Sequence, residues 1–373
     1  MADSTSAAES RCPLRPVIQP GQKIRVLVVD DSAVIRRLVV HALEQDAMLQ
    51  VVGTAADGAI ALQRIPQLNP DVITLDIEMP VMDGMTALRH IRDQYPHLCV
   101  IMFSTLTERG ATATVDALLA GANDYVTKAS NEGSLDRSLL RLQEDLVPKI
   151  KQFFRIAVTN IKPEARVQGP AKIVTKPPAA NGAQLRKVVA IGISTGGPAA
   201  LGEIIPQFPS NFSVPIVIVQ HMPPVFTRLL AERLQAKSRL RVAEAVEGMP
   251  VEAGRVLVAA GNYHLRLAGD GGKVHATLDQ GPPENSCRPA VDVLFRSVSE
   301  VYGGHSVGVV LTGMGQDGLR GAEQMKAHGA YIIAQDSDSS VVWGMPGAVA
   351  TAGLADSILS LKAVVPEILR QVG

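Results

Sequence analysis

Three short segments in the second half of this 373-residue chain carry side chains suited to acyl transfer: Gly192-Ile193-Ser194-Thr195-Gly196-Gly197, Gln220-His221-Met222-Pro223 and Gly313-Met314-Gly315-Gln316-Asp317-Gly318. A serine, a histidine and an aspartate are the parts of a nucleophile, its general base and the carboxylate that orients the base. Each segment follows an apolar, β-branched run, at 188–193, 214–219 and 307–311. In an open α/β sheet the residues just past strand ends collect in one crevice, where ligands bind. Ser194, His221 and Asp317 are therefore expected to meet in space. Gly192 to Gly196 also fits the Gly-x-Ser-x-Gly turn that displays a nucleophile, and neighbours without Cβ suit such a turn. The chain order Ser, His, Asp departs from the α/β-hydrolase order, so the expected site is a serine hydrolase on a different fold. Taken singly, Ser194 reads as a helix N-cap, His221 as a strand-end histidine and Asp317 as a turn residue. The joint placement carries the reading. A dinucleotide site competes, but Gly192-x-Ser194-x-Gly196-Gly197 fits G-x-G-x-x-G imperfectly.

A second constellation lies in the first half. Asp30 and Asp31 close one apolar run and Asp76 closes another; Ser104 and Lys128 follow two more. Three carboxylates at neighbouring strand ends make a hard-oxygen pocket suited to Mg²⁺, and such crowded like charge is costly without a cation. A phosphoryl group entering at Asp76 would be stabilised by the metal and the Lys128 ammonium.

The elements that must position these groups follow from periodicity. Continuous β-branched runs at 24–29, 51–54, 72–75, 100–103 and 124–127 are expected as strands covered on both faces. Helical patterns fall between them at 32–45, 59–65, 85–93 and 112–120, then at 135–150, with Ser32 as an N-cap. Five βα units in order predict a flavodoxin-like, five-stranded parallel sheet. The second half alternates again: strands at 188–193, 214–219, 255–259, 307–311 and 331–334, helices at 198–206, 225–236, 291–301 and 319–328, and a Gly-rich hairpin excursion within 242–283. This predicts a second doubly wound α/β domain. Between the halves, Lys162-Pro163, Gly169-Pro170, Lys176-Pro177-Pro178 and Asn181-Gly182 mark a linker. The expected organisation is a flexible tail at 1–20, a first domain at 21–148, a linker at 149–185 and a catalytic domain at 186–373.

Composition excludes several classes. Lys+Arg and Asp+Glu both total 36, which argues against a chain-wide nucleic-acid or anionic-membrane surface. Hydrophobic residues make up 46% of the chain, yet no run approaches a membrane span of about 18 apolar residues. Residues 1–20 lack the apolar core of a secretory signal. The three cysteines, Cys12, Cys99 and Cys287, are widely separated and form no disulfide framework, which suits a cytoplasmic location. Cys287 has no histidine close in sequence, so it is not expected to compete as a nucleophile.

The stretch Asp76-Ile77-Glu78-Met79-Pro80-Val81-Met82-Asp83-Gly84, with Asp30, Asp31, Ser104 and Lys128, resembles the receiver domain of two-component response regulators. The resemblance implies that Asp76 is the phosphoacceptor and that Asp30, Asp31, Asp76 and the Glu78 carbonyl hold Mg²⁺. It also implies that Ser104, Lys128 and Tyr125 act as switch residues, and that a chemotaxis histidine kinase is the phosphodonor. One departure concerns Lys128-Ala129, where the family usually has Lys-Pro. A non-proline cis bond costs roughly 2.5–4 kcal/mol, so this bond is expected to be trans. The second half resembles the protein-glutamate methylesterases of bacterial chemotaxis, in the three segments above and in Arg288-Pro289-Ala290-Val291-Asp292-Val293-Leu294-Phe295 and Gly344-Met345-Pro346. That resemblance implies demethylation of glutamyl methyl esters and deamidation of glutamines on the cytoplasmic helices of chemoreceptors, with no metal at the hydrolase site and a monomeric chain. From the residues alone, an oxyanion hole near Thr195 or Met314 is open; the resemblance favours the Met314 amide with Thr195 assisting. Arg228, Arg233, Lys237, Arg239 and Arg241 read as a solvated helix face, or as a dock for acidic receptor helices. The alternative function is a receiver-controlled binding protein with a non-catalytic α/β domain.

Overall fold

The structure is a computed structural model that describes residues 17–104, 107–128, 135–156 and 186–373. In the first half the elements run β1 (Val17–Ile18), β2 (Ile24–Val29), α1 (Ala33–Glu44), β3 (Leu49–Ala55), α2 (Gly58–Leu68), β4 (Val72–Asp76), α3 (Gly84–Gln94), β5 (Cys99–Ser104), α4 (Glu108–Leu119), β6 (Asp124–Thr127), α5 (Leu135–Lys151) and β7 (Arg155–Ile156). Strands β3-β2-β4-β5-β6 form a five-stranded parallel sheet, the flavodoxin-like order. Strands β4 and β5 are buried along their whole length, as their unbroken apolar runs require of a sheet covered on both faces. Ser32 caps α1 through its hydroxyl on the Ile35 amide, as its position before the apolar period predicts.

The first unit reaches past the boundaries expected at 20 and 148. Helix α5 continues through Pro148 to Lys151 because Leu142, Leu146 and Ile150 keep one buried face in register. Phe153 and Phe154 are then buried, and β7 pairs with β1. The tail before 17, the linker segment 157–185 and the Lys128–Ala129 bond lie outside the described residues.

In the second half the elements run β8 (Val188–Ile193), α6 (Gly197–Ile204), β9 (Ile216–Gln220), α7 (Phe226–Lys237), β10 (Arg241–Glu244), β11 (Arg255–Val258), β12 (His264–Asp270), β13 (Lys273–Asp279), α8 (Val291–Tyr302), β14 (Ser306–Val310), α9 (Leu319–Ala327), β15 (Tyr331–Gln335), α10 (Met345–Thr351), β16 (Ser357–Leu359) and α11 (Leu361–Val372). Seven of these strands form one parallel sheet in the order β10-β11-β9-β8-β14-β15-β16. The expected hairpin is β12–β13. The chain leaves β8 towards β9 on one side and later returns to place β14 on the other. That reversal is a topological switch point, where such sheets bind ligands.

The two units share apolar surface. One contiguous cluster joins Val115 and Leu118 of α4 to Leu201 of α6 and to Phe226 and Leu230 of α7. No helix among the described residues is long and apolar enough to cross a membrane.

Candidate active site

Ser194, His221 and Asp317 stand past the ends of β8, β9 and β14, three adjacent strands. Sheet pairing brings them together across as many as 123 residues of sequence, which is the distance from 194 to 317. The Ser194 turn is held from both sides. Its amide donates to the Thr312 carbonyl at 3.0 Å, and its carbonyl accepts from the Gly197 amide at 2.8 Å. Gly196 sits at φ 77, a left-handed position that glycine fills without Cβ strain. Across the crevice, a Cβ on Gly313 would lie 2.8 Å from the Ser194 Cβ, so only glycine lets the Gly313–Gly315 turn pass this close.

His221 is largely buried, and its Nε2 lies 2.8 Å from Asp317 Oδ2. Its other ring nitrogen, Nδ1, faces the Cys287 thiol at 3.6 Å. Burial opposes charge on the imidazole, but the Asp317 and Cys287 contacts outweigh it and push His221 up to about 9. Asp317 is a fully employed anion. Its oxygens accept from the amides of Val291, Asp292 and Gly318 at 2.7, 3.0 and 3.0 Å, and from Asn285 Nδ2 at 2.9 Å. Helix α8 begins at Val291 with no side-chain cap from its own N-cap residue, Ala290. Asp317 therefore supplies the capping charge at the positive end of that helix. Burial alone would raise its pKa; the His221 hydrogen bond and these amides hold it below the ordinary carboxylate value.

Several contributors were not marked by the sequence. Asn285 bridges Asp317 and the buried Asp292, and Asp292 in turn accepts from the amides of Gly318 and Gly321. Burial, with Asp317 nearby, raises the Asp292 carboxyl. Gln220 donates from Nε2 to the carbonyls of Ser194 at 2.9 Å and His221 at 3.4 Å, tying the two strand ends together. Only the family stretch Arg288 to Phe295 contained a signal for Asp292; Gln220 had none beyond its place beside His221. Cys287 gains a contact the sequence did not show, because a histidine 66 residues away in sequence stands against its sulfur. The amides of Thr195 and Met314 donate no hydrogen bond among the described residues, and the Met314 side chain is half exposed.

The first unit closes over this crevice. A cavity of about 460 Å³ is lined by Ser194, His221 and Cys287 on one wall and by Asp124, Tyr125 and Gln152 on the other. The Thr195 hydroxyl lies 3.4 Å from Asp124 Oδ2 and 3.3 Å from Gln152 Oε1. Tyr125 stacks on Phe226 with ring centroids 4.9 Å apart. Arg233 makes a two-pronged pair with Asp116 at 2.6 and 3.1 Å, and Arg228 reaches Glu108 at 2.6 Å. These arginines, read from sequence as a solvated face, meet the acidic side of α4.

At the carboxyl ends of the first sheet, Asp30, Asp31 and Asp76 bring ligand oxygens within 4.8 Å of one another. This all-oxygen donor set fits a hard divalent cation. Lys128 Nζ lies 2.9 Å from Asp30 Oδ2 and 2.8 Å from Asp76 Oδ2. Burial pushes Asp76 up to about 6 against the opposing pull of Lys128. Burial would lower Lys128, but its contacts with Asp30 and Asp76 raise it. A second cavity of about 250 Å³ is bordered by Asp31, Asp76, Glu78, Ser104 and Lys128. Asp83 caps α3 through the Thr86 amide at 2.7 Å, and a Cβ on Gly84 would fall 2.0 Å from the Asp76 carbonyl oxygen.

A receiver-type domain docked over a switch-point crevice through α4, the edge strand β6 and the end of α5 defines a response regulator with an α/β enzyme as its output. Comparison with known proteins makes that specific. Residues 26–139 match the response regulator receiver domain and residues 189–368 match the CheB methylesterase. A protein-glutamate methylesterase/protein-glutamine glutaminase of Trichodesmium erythraeum is 49% identical over 355 residues, covering 94% of this chain and 99% of that protein. One from Nocardioides sp. is 49% identical over 354 residues, covering 95% of this chain and 96% of that one. The crystal structure of the Thermotoga maritima CheB methylesterase catalytic domain is 45% identical, covers 50% of this chain and 98% of that chain, and superposes with a TM-score of 0.49. The chain belongs to the protein-glutamate methylesterase/protein-glutamine glutaminase family. It is an enzyme of that class with a receiver domain, and the reading of its second domain as a non-catalytic binding module is set aside.

Proposed function

We propose that this chain demethylates γ-glutamyl methyl esters and deamidates glutamines on the cytoplasmic helices of chemoreceptors, under control of phosphorylation at Asp76. The single observation that carries the hydrolytic reading is the His221–Asp317 pair at 2.8 Å in one crevice with Ser194. Ser194 Oγ attacks the side-chain carbonyl of the substrate. Since Nε2 is engaged by Asp317, Nδ1 is the nitrogen that takes the serine proton. This ring orientation is the reverse of the familiar triad, in which Nδ1 faces the carboxylate, but the division of roles is the same. Asp317 stabilises the imidazolium that forms. The Met314 amide, with Thr195 assisting, receives the oxyanion. His221 then protonates methanol or ammonia as it leaves, and water hydrolyses the acyl-enzyme.

In the receiver, Mg²⁺ would be held by Asp30, Asp31, Asp76 and the Glu78 carbonyl and would neutralise phosphoryl charge. The Asp76 carboxylate accepts the phosphoryl group from a chemotaxis histidine kinase; Lys128 and Ser104 then pair with it. In the unphosphorylated arrangement, Asp124, Tyr125 and Gln152 occupy the space a receptor helix needs. Phosphorylation favours an undocked form in which Tyr125 leaves Phe226. We take 17–156 and 186–373 as the two domains, the chain as a monomer and its location as cytoplasmic. The test is methanol release from methylated receptor membranes, with and without a small-molecule phosphodonor. Release that rises with the phosphodonor is expected; no release from active, folded protein overturns the reading.

A further inference from the structure

Three acidic or nucleophilic groups surround His221: Asp317 on Nε2, Cys287 on Nδ1, and Ser194 on the adjoining strand end. The hydrolytic mechanism uses Asp317 and Ser194 and leaves Cys287 without a task. Its sulfur stands 3.6 Å from the nitrogen the serine requires, is half-buried rather than sealed, and borders the 460 Å³ cavity. The turn that presents it is constrained: Glu284 and Cys287 exchange backbone hydrogen bonds at 3.1 and 2.8 Å, and Asn285 is anchored to Asp317 and Asp292. Cys99 offers the contrast within the same chain, since it is buried and burial pushes its thiol well above the ordinary value.

We propose that Cys287 is a peroxide-sensitive thiol that competes with Ser194 for His221, so that its oxidation switches the hydrolase off. The consequence for activity rests on the roles proposed above for Ser194 and His221; the reactivity of the thiol does not. An imidazole beside a thiol accepts its proton and leaves the nucleophilic thiolate. The thiolate sulfur attacks one oxygen of hydrogen peroxide, a bond forms between sulfur and that oxygen, and the O–O bond breaks. The departing hydroxide takes the proton held on Nδ1 and leaves as water. Sulfur is oxidised by two electrons, peroxide is reduced by two, and Cys287 becomes a sulfenic acid. The new oxygen then lies against Nδ1, where the Ser194 proton must go, and fills space meant for substrate. Two equivalents of a small thiol reduce the sulfenic acid back to the Cys287 thiol through a mixed disulfide, leaving the small thiol's disulfide and water. Peroxide is small enough to enter the crevice with the receiver docked, whereas a receptor helix is not.

The full-length chain, reduced and phosphodonor-activated, is treated with hydrogen peroxide and divided. One portion is labelled with dimedone and its adducts mapped by mass spectrometry; the other, without dimedone, is assayed for methanol release before and after dithiothreitol. Label on Cys287 with about a tenfold or greater loss of methanol release, restored by dithiothreitol, is expected from a reactive crevice thiol. Cys287→Ala should keep its own untreated rate after peroxide. In parallel, iodoacetamide alkylation of Cys287 should slow about tenfold in His221→Gln and His221→Asn, each checked for folding by circular dichroism. The alkylation readout stands even if no methanol release is found, so failure of the functional reading and failure of this proposal are distinguishable. Absence of label at Cys287, an alkylation rate indifferent to His221, or equal inactivation of Cys287→Ala through the exposed Met314 would each overturn it.

Discussion

At the scale of single residues, the crevice makes firm demands on Ser194, His221 and Asp317. Ser194→Ala should lower turnover by about 10⁶-fold, and Asp317→Asn by up to about 10⁴-fold, because the neutral amide no longer selects the imidazole tautomer or stabilises the imidazolium. Methanol release by folded variants checks both; near-native turnover in Ser194→Ala would remove the nucleophile assignment. His221 adds a pH signature. It stands at about 9 when folded, against an ordinary 6.5, and a general base must be neutral. In the unphosphorylated chain, kcat/KM should therefore climb as pH rises towards 9. Cys287→Ala, which removes one cause of the upward shift, should move that climb to lower pH. The same displacement has a stability consequence of fixed sign. The contribution of charged His221 is complete below about 6.5 and is lost as pH rises through about 9. The melting-temperature gap between the wild type and His221→Gln should shrink across that window; a constant gap would contradict it.

At the scale of elements, the acidic site depends on α3 starting directly beneath the end of β4. Asp83 caps the helix and the Gly84 amide bonds the Ile77 carbonyl at 2.9 Å. With the Asp76 carbonyl only 2.0 Å from where a Cβ would stand, Gly84→Ala must push β4 and α3 apart. Overpacking of this kind costs about 1–3 kcal/mol. Urea unfolding should show that loss, and phosphodonor-driven phosphorylation of Asp76 should fall with it. An unchanged midpoint would mean the turn relaxes freely. The arrangement in the other domain is analogous: α8 begins where Asp317 can cap it, so the catalytic carboxylate and the helix register are one construction.

At the scale of the whole molecule, the docked receiver is held by apolar contact between α4, α6 and α7 and by charged pairs at its rim. Arg233 and Asp116 are each more than a third exposed, so their pair is worth at most about 1 kcal/mol after solvent screening. Asp116→Ala should raise unphosphorylated activity only a few-fold. Asp116→Arg, which adds repulsion, should raise it further, and Arg233→Asp in the same chain should restore restraint. Activity of the unphosphorylated chain should also increase with salt. A fragment of residues 186–373 should outperform the unphosphorylated chain on receptor substrate. Equal rates for the two would refute restraint by docking.

Much of this was legible in the sequence, because strands covered on both faces and amphipathic helices leave local periodic traces. The two parallel sheets, the strand ends bearing Asp30, Asp76, Ser104 and Lys128, and the gathering of Ser194, His221 and Asp317 follow from such traces and from the rule that ligands bind past the strand ends. The extension of the first unit past 148 to β7 was not, because the two-residue strands β1 and β7 leave no periodic trace and Phe153 and Phe154 join the core only through tertiary packing. Three further features depend on contacts between distant segments, which no local pattern encodes. Asp317 takes Nε2 of His221 rather than Nδ1, Cys287 arrives at the remaining nitrogen, and the arginines of α7 find acidic partners on α4 rather than water. Sequence determined which groups reach the crevice; tertiary packing decided which nitrogen, which sulfur and which domain face each other there, since those choices are set by side-chain direction and docking rather than by spacing.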